Sequence, residues 1–184
     1  MTMQVDTEID GVPVKIVRRR GMKNVRLRVD DAGQCIVSGN PREPADRMLD
    51  YVRKNLDWVR QAQARRIDTP AYRAAHASKE EAAAWCDVVS ACVPALIEVW
   101  EPVLGVKAGK LAFRNMTSKW GSCQPETGRI CINTRLALYP PECLEYVVVH
   151  ELCHLRHANH GAAFWGLMDK VMPDWRVRQN KLRS

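Results

Sequence analysis

Residues 147–165, VVVHELCHLRHANHGAAFW, hold four of the chain's five histidines. His150, Glu151 and His154 form HExxH within an apolar run. On a helix, positions i and i+4 lie roughly 40° apart and one turn along, so two imidazoles can reach one ion. Zinc takes imidazole nitrogen at about 2.0–2.1 Å, and the glutamate beside the first ligand can accept a proton from water held there. Chance alone gives this pattern in roughly one chain of this composition in a hundred. The chemistry these residue types support is zinc-assisted hydrolysis, with Glu151 as general acid and base.

A catalytic zinc takes three protein ligands, and the candidates for the third are His157, His160 and an acid further on. His157 shares a face with His150 on a straight helix, but at 1.5 Å per residue it lies about 7 Å past the midpoint of the first pair. His160 would be farther still unless the helix ends. Asn159 and Gly161 tolerate left-handed backbone and can turn the chain back, which swings His160 under the metal. A histidine six residues after HExxH is also the spacing of the long metzincin motif, although His157 stands here where that motif has glycine. His160 is therefore the expected third ligand. His157 is expected outside the ligand set.

The elements that must position these residues follow from periodicity. VPVKIV, NVRLRV and QCIV read as three strands of an antiparallel β-meander, separated by RRRG and DDAG. PREPADRMLDYVRKNLDWVRQAQARR then reads as one helical stretch with Leu49, Val52, Leu56 and Val59 on a stripe. IDTPAYRAAHAS reads as a connector with His76 at the surface. Ser78 and Glu81 form a capping box opening a helix that Pro94 should kink or end, with Gly105 closing the region. KLAFRN and RICIN read as strands of a hairpin with MTSKWGSCQPETG as its long tip. YPPE starts the HExxH helix, and Phe164 and Trp165 sit on a following helix as core. The result is an α+β fold, divided as 1–70 (meander plus helix) and 71–184, or else continuous over 1–184.

The 184 residues suit that size, and 46% are hydrophobic, enough for a core. Uninterrupted apolar runs never reach about 18 residues, so no membrane-spanning helix is expected. The N-terminus carries acids early and does not read as a secretory signal. Seven cysteines without a CxxC pair argue against a disulfide framework or a cysteine zinc ribbon, and point to a reducing, cytoplasmic setting. The net charge of +7 leaves room for an anionic partner. Its densest cluster runs from Arg18 to Lys23 and continues as Arg26 and Arg28 at strand period, either a solvated sheet face or a weak nucleic-acid contact.

The segment SKWGSC has two readings. Trp120 and Gly121 could fill and turn a tight hairpin under the HExxH helix, or Lys119, Ser122 and Cys123 could face the substrate. Cys153 falls on the helix face away from His150 and His154, as buried packing. Neither it nor Cys123 has a free base to make it a nucleophile.

MTSKWGSC (116–123), GRICINTRLALYPPECLEYVVVHELCHL (128–155) and NHGAAFWGLMDKVMPDW (159–175) together resemble the YgjP-like metallopeptidase family, related to the SprT-like zincins. NVRLRVDDAGQCIV and the helix after it resemble that family's N-terminal region. The resemblance implies a zincin-like core in which the HExxH helix packs on a small sheet. It also implies His150, His154 and His160 on zinc with Glu151 as the catalytic residue. Gly161 departs from the family, where serine is frequent after NH.

The function expected first is peptide-bond hydrolysis of a peptide or protein substrate, paired in extended form against the KLAFRN strand. In it Glu151 takes a proton from water and passes it to the leaving amine. An alternative keeps the zinc but cleaves a nucleotide phosphoanhydride, with Arg114, Lys119 and Arg135 holding phosphates; no P-loop accompanies it. A third has a basic nucleic-acid-associated protein with structural zinc, which would leave Glu151 without a purpose.

Overall fold

The computed structural model describes residues 3–182. It is an α+β structure with two small sheets and seven α-helices among the described residues. The chain divides into two compact units, Met1–His76 and Ala77–Ser184.

In the first unit β1 (Met3–Ile9) and β2 (Val12–Arg18) form an antiparallel hairpin. Its two-residue turn, Asp10 and Gly11, has φ of 49° and 78°. Two positive φ values match the right-handed strand twist, and Asp-Gly is the pair that adopts them at least cost. The antiparallel meander expected from sequence is not what forms. β3 (Arg26–Val29) and β4 (Cys35–Gly39) complete the sheet in the order β1-β2-β4-β3, with β4 parallel to β2 and antiparallel to β3. All five residues of β4 are buried, so it takes a central place that chain order would not give it. β1 itself was missing from the sequence reading because acids occupy its outward positions.

The single helical stretch expected after β4 is two helices, α1 (Ala45–Arg53) and α2 (Leu56–Ala64). Asn55 breaks it: its side chain donates to the Tyr51 carbonyl at 2.7 Å, taking an acceptor that a continuing helix would use. Met48, Val52, Val59 and Ala62 still pack on the inner sheet face with Val14, Cys35 and Val37. The expected connector holds a short helix, α3 (Pro70–His76), begun by Tyr72 N–H donating to Thr69 Oγ1. His76 is exposed and stacks on Tyr72.

In the second unit α4 (Lys79–Leu104) opens with the Ser78–Glu81 capping box and closes at Gly105, whose φ is 62°. Pro94 neither ends α4 nor interrupts its buried stripe, since Trp85, Val89, Val93, Ile97 and Leu104 continue past it in register. Tertiary packing on both sides of the proline outweighs the single hydrogen bond it removes. By length and composition alone α4 would also qualify as a membrane span, so counting uninterrupted runs understates it. Asp87 and Glu98 break the run without cancelling its average; one stripe of the helix is buried while Val88, Val99 and Val103 are exposed.

The second sheet comprises β5 (Leu111–Arg114), β6 (Gly121–Gln124) and β7 (Arg129–Asn133) in the order β5-β7-β6. The hairpin is therefore β6–β7, turning at Gly128 with φ of 66°, while β5 runs parallel to β7. The long tip of the expected hairpin is instead a crossover followed by a strand. A 3-10 turn (Thr134–Leu138) leads to α5 (Pro141–Cys153), then α6 (Ala162–Val171) and α7 (Trp175–Lys181). Pro141 at its first turn and Glu142 beside it suit the N-terminus of α5. The helix is buried nearly all round, from Cys143 to Cys153, which makes it the central element of this unit's core.

Candidate metal centre

α5 carries His150 near its end, and His154 is its C-terminal cap. The helix thus stops at Cys153, earlier than the break expected at Asn159–Gly161. Two side chains hold the turn: Arg156 donates to the Leu104 carbonyl at the end of α4, and His154 Nδ1 lies 3.1 Å from the His157 carbonyl. Neither Asn159 nor Gly161 adopts positive φ, and Gly161 instead caps α6 with φ of −81°.

This reversal brings His160 to the other two. One ring nitrogen from each of His150, His154 and His160 lies within 4.8 Å of the others. Nε2 of His160 is 2.9 Å from Nε2 of His150. The ring centroids are 4.6–4.9 Å apart. Phe164, fully buried on α6, is a floor beneath all three rings at 4.6–4.9 Å. Sequence reading placed Phe164 in the core without seeing what it supports. Trp165, expected in the core as well, is partly buried against it and also lines the cleft, stacking on His160 at 5.5 Å and on Trp175 at 4.5 Å.

The donor set fits a divalent zinc-like ion. Tetrahedral zinc needs nitrogens about 3.3 Å apart; one pair here is 2.9 Å apart and all three lie within 4.8 Å of one another. Burial, then the neighbouring His154 and His160, pushes His150 down to about 3, which keeps it neutral and able to bind metal. Its Nδ1 is buried with no hydrogen-bond partner among the described residues. His154 is likewise shifted down by burial, and a proton on its Nδ1 facing the His157 carbonyl leaves Nε2 for an ion. His157 thus serves through its backbone and stands outside the cluster.

Glu151 is buried, 5% exposed, and burial raises it to about 8 while Lys119 pulls the other way. Its carboxyl sits against Gly121 at the start of β6. A Cβ built on Gly121 would fall 2.4 Å from Glu151 Oε1 and 2.8 Å from Cδ. Gly121 is therefore not the hairpin turn that sequence reading offered. It is the space into which the glutamate fits.

The cluster opens on a cleft of about 780 Å³, lined on one side by Lys119 and by Gly121, Ser122 and Cys123 of β6. Tyr146, Val147, Trp165 and Leu182 add apolar surface to the lining. Lys119 is the one of the three suggested substrate-binding residues that lines it. Arg114 is exposed on β5, and Arg135 donates to Asn115 Oδ1; neither is among the lining residues. Nor is the KLAFRN strand, β5: the sheet edge that faces the cleft is β6. Both cysteines near the site are held as thiols. Burial pushes Cys153 to about 12, and burial with Glu151 and Glu126 nearby pushes Cys123 to about 11. Cys153 Sγ packs 3.5 Å from Met168 Sδ, and all seven cysteines are unpaired.

Asn133, at the end of β7, was not singled out from sequence. It is 2% exposed. Its amide donates to the carbonyls of Met116 and Lys119, both at 2.8 Å, and its oxygen accepts from Met116 N–H and Arg135 N–H. One side chain thus pins the loop that delivers Lys119 and Gly121 to the cleft. A polar residue closing the apolar run Ile130, Cys131 and Ile132 is the only signal sequence offers. Asn133→Ala is expected to cost about 3 kcal/mol, read as a fall in thermal midpoint, because it strands buried backbone groups. Zinc affinity should change little, since the histidines come from α5 and the turn after it.

A family model described as YgjP-like, metallopeptidase domain matches residues 66–184. Among solved structures, the metallopeptidase zymogen of Pyrococcus abyssi abylysin is similar at 23% identity and a TM-score of 0.45, over 49% of this chain and 90% of that one. The metallopeptidase zymogen of Methanocaldococcus jannaschii jannalysin is similar at 19% identity and a TM-score of 0.43, over 49% and 92%. No curated protein matches the chain.

Proposed function

The chain belongs to the YgjP-like metallopeptidase family, and from that premise we propose that it is a zinc-dependent peptidase with His150, His154 and His160 as ligands and Glu151 as general base. The observation that carries this reading is the convergence of three imidazoles beside a buried carboxylate at the floor of an open cleft. Zinc, when bound, supplies a Lewis acid and lowers the pKa of water. The chain's own residues do the rest. Glu151, wedged under β6, takes a proton from the attacking water and returns it to the leaving amine. Lys119 favours the ionised form of Glu151 and faces the same space.

β6 is an edge strand beside the cluster, so an extended substrate can add to it by main-chain hydrogen bonds. The apolar surface of Tyr146, Val147, Trp165 and Leu182 then favours an apolar substrate side chain near the scissile bond. Phosphoanhydride cleavage is less well supported, because among the described residues Lys119 is the only Lys or Arg lining the cleft and Glu126 faces it too. A structural zinc would be closed by a fourth protein ligand, whereas this cluster opens on the cleft.

The test is to incubate the zinc-loaded chain with unfolded casein and, separately, with nucleoside triphosphates. Casein cleavage should vanish with chelator and return with zinc, and triphosphates should persist. His160→Ala should weaken zinc binding by at least about a hundredfold. Triphosphate hydrolysis without casein cleavage would replace the peptidase reading, and unchanged zinc affinity in His160→Ala would remove the third ligand.

A further inference from the structure

We propose that the outer face of the N-terminal sheet binds the phosphodiester backbone of nucleic acid, without regard to sequence. This stands apart from the peptidase reading, since no residue of the cleft takes part.

Residues 1–76 contain 15 Lys and Arg against 10 Asp and Glu, so +5 of the chain's +7 lies in this unit. The strands concentrate part of it. Leu27 and Val29 of β3 turn toward the core with α1 and α2, and Arg26 and Arg28 alternate with them on the outer face. Arg26 is paired with Ser38 of β4. The loop from β2 to β3 adds Arg19, Lys23 and Asn24 to the same hollow of about 520 Å³, with Ser38 among its lining residues. Among the described residues no carboxylate lines it.

The four cations are also unspent. Elsewhere in the unit Arg47 pairs with Glu43 and Arg53 with Asp50, Arg18 donates to the carbonyls of Pro41 and Glu43, and Arg60 donates to that of Asp10. Among the described residues no ion pair involves Arg19, Lys23, Arg26 or Arg28. A short charged edge strand also deters pairing between sheets, which would account for β3. It does not account for a loop that brings two more cations to the same hollow.

Three of the four are arginines, whose planar forks match phosphate oxygens in pairs. Arg26 and Arg28 are two residues apart on a strand, about 7 Å, which suits a polymer carrying charge at short regular intervals. A lipid surface would call for apolar side chains ready to insert. The hollow offers only Met22, half-buried.

The experiment titrates the zinc-loaded full chain into a fluorescein-labelled single-stranded DNA 20-mer of mixed sequence, reading anisotropy between 50 and 200 mM salt. Four phosphate contacts predict a slope of log K against log salt of about −3. Arg26→Glu with Arg28→Glu should roughly halve that slope and weaken binding at least about tenfold at 100 mM salt. The same charge change at Arg65 and Arg73, exposed elsewhere in the unit, should weaken it less than about threefold. Melting by circular dichroism checks that each variant folds. No binding at 50 mM salt, equal binding by the Arg26/Arg28 variant, or an equal loss in the Arg65/Arg73 variant would each overturn the proposal. So would binding to phosphatidylserine vesicles but not to the oligonucleotide.

Discussion

Replacing Glu151 with glutamine should leave a protein that still binds zinc, turns over peptide about 10²–10⁴ times more slowly, and melts higher than the parent when metal-free at alkaline pH. The first two outcomes follow from the role proposed for the carboxylate: an amide of nearly the same shape cannot take the proton, and no ligand is lost. The third follows from burial. Glu151 is 5% exposed and its folded-state pKa is raised from 4.5 to about 8, burial being the main cause.

The sign of the pH dependence is fixed by which state holds the proton. Below pH 4.5 the folded and unfolded metal-free chains both carry it, and the group does not oppose folding. Between 4.5 and about 8 the unfolded chain releases the proton and the folded chain keeps it, so stability falls as pH rises. Above about 8 the loss is complete, roughly 5 kcal/mol at full extent. Glutamine has no proton to release. The metal-free variant should therefore melt at least about 5 °C above the parent at pH 8.5, with the gap narrowing as pH falls toward 4.5. A gap that does not change with pH would mean the carboxyl is not held as described, and retained turnover would remove it as the base.

The clustering of the histidines was more legible in sequence than the architecture around it, for a physical reason. HExxH works through an i, i+4 relation that any helix supplies, and the Ser78–Glu81 box and Gly105 also act within one or two turns. Strand pairing has no such local code. Alternation marks β2, β3 and β4 as strands but does not say that β4 lies between the other two. Likewise, RICIN reads as a strand whether its hairpin partner is β5 or β6. The helix α5 ends earlier than expected because Arg156 bonds across to the Leu104 carbonyl and His154 lies against the His157 carbonyl, whereas the visible breakers Asn159 and Gly161 adopt no left-handed backbone. Those same bonds bring His160 inward to His150 and His154, by a turn other than the one expected. Pro94 misled in the opposite direction, because the stripe around it is packed on both sides.

Gly121→Ala should reduce turnover by at least about a hundredfold while zinc affinity stays near that of the parent. Gly121 is not among the residues with positive φ, so alanine meets no backbone penalty and the effect is one of space. The added methyl would lie 2.4 Å from Glu151 Oε1, 2.7 Å from Cγ and 2.8 Å from Cδ. All three contacts are impossible as they stand. Glu151 is 5% exposed and lines the cleft, so the carboxylate can relieve them only by turning away from its place under β6. Either it or β6 must move, and a displacement near 1 Å is enough to spoil proton transfer. Overpacking of this kind costs about 1–3 kcal/mol in stability. A double-mutant cycle separates steric conflict from any other fault: in a Glu151→Ala background the methyl has room, so Gly121→Ala should cost almost nothing there. If the stability loss persists in that background, the glycine is required for some other reason. If Gly121→Ala is fully active, the close approach of β6 to Glu151 does not position the base.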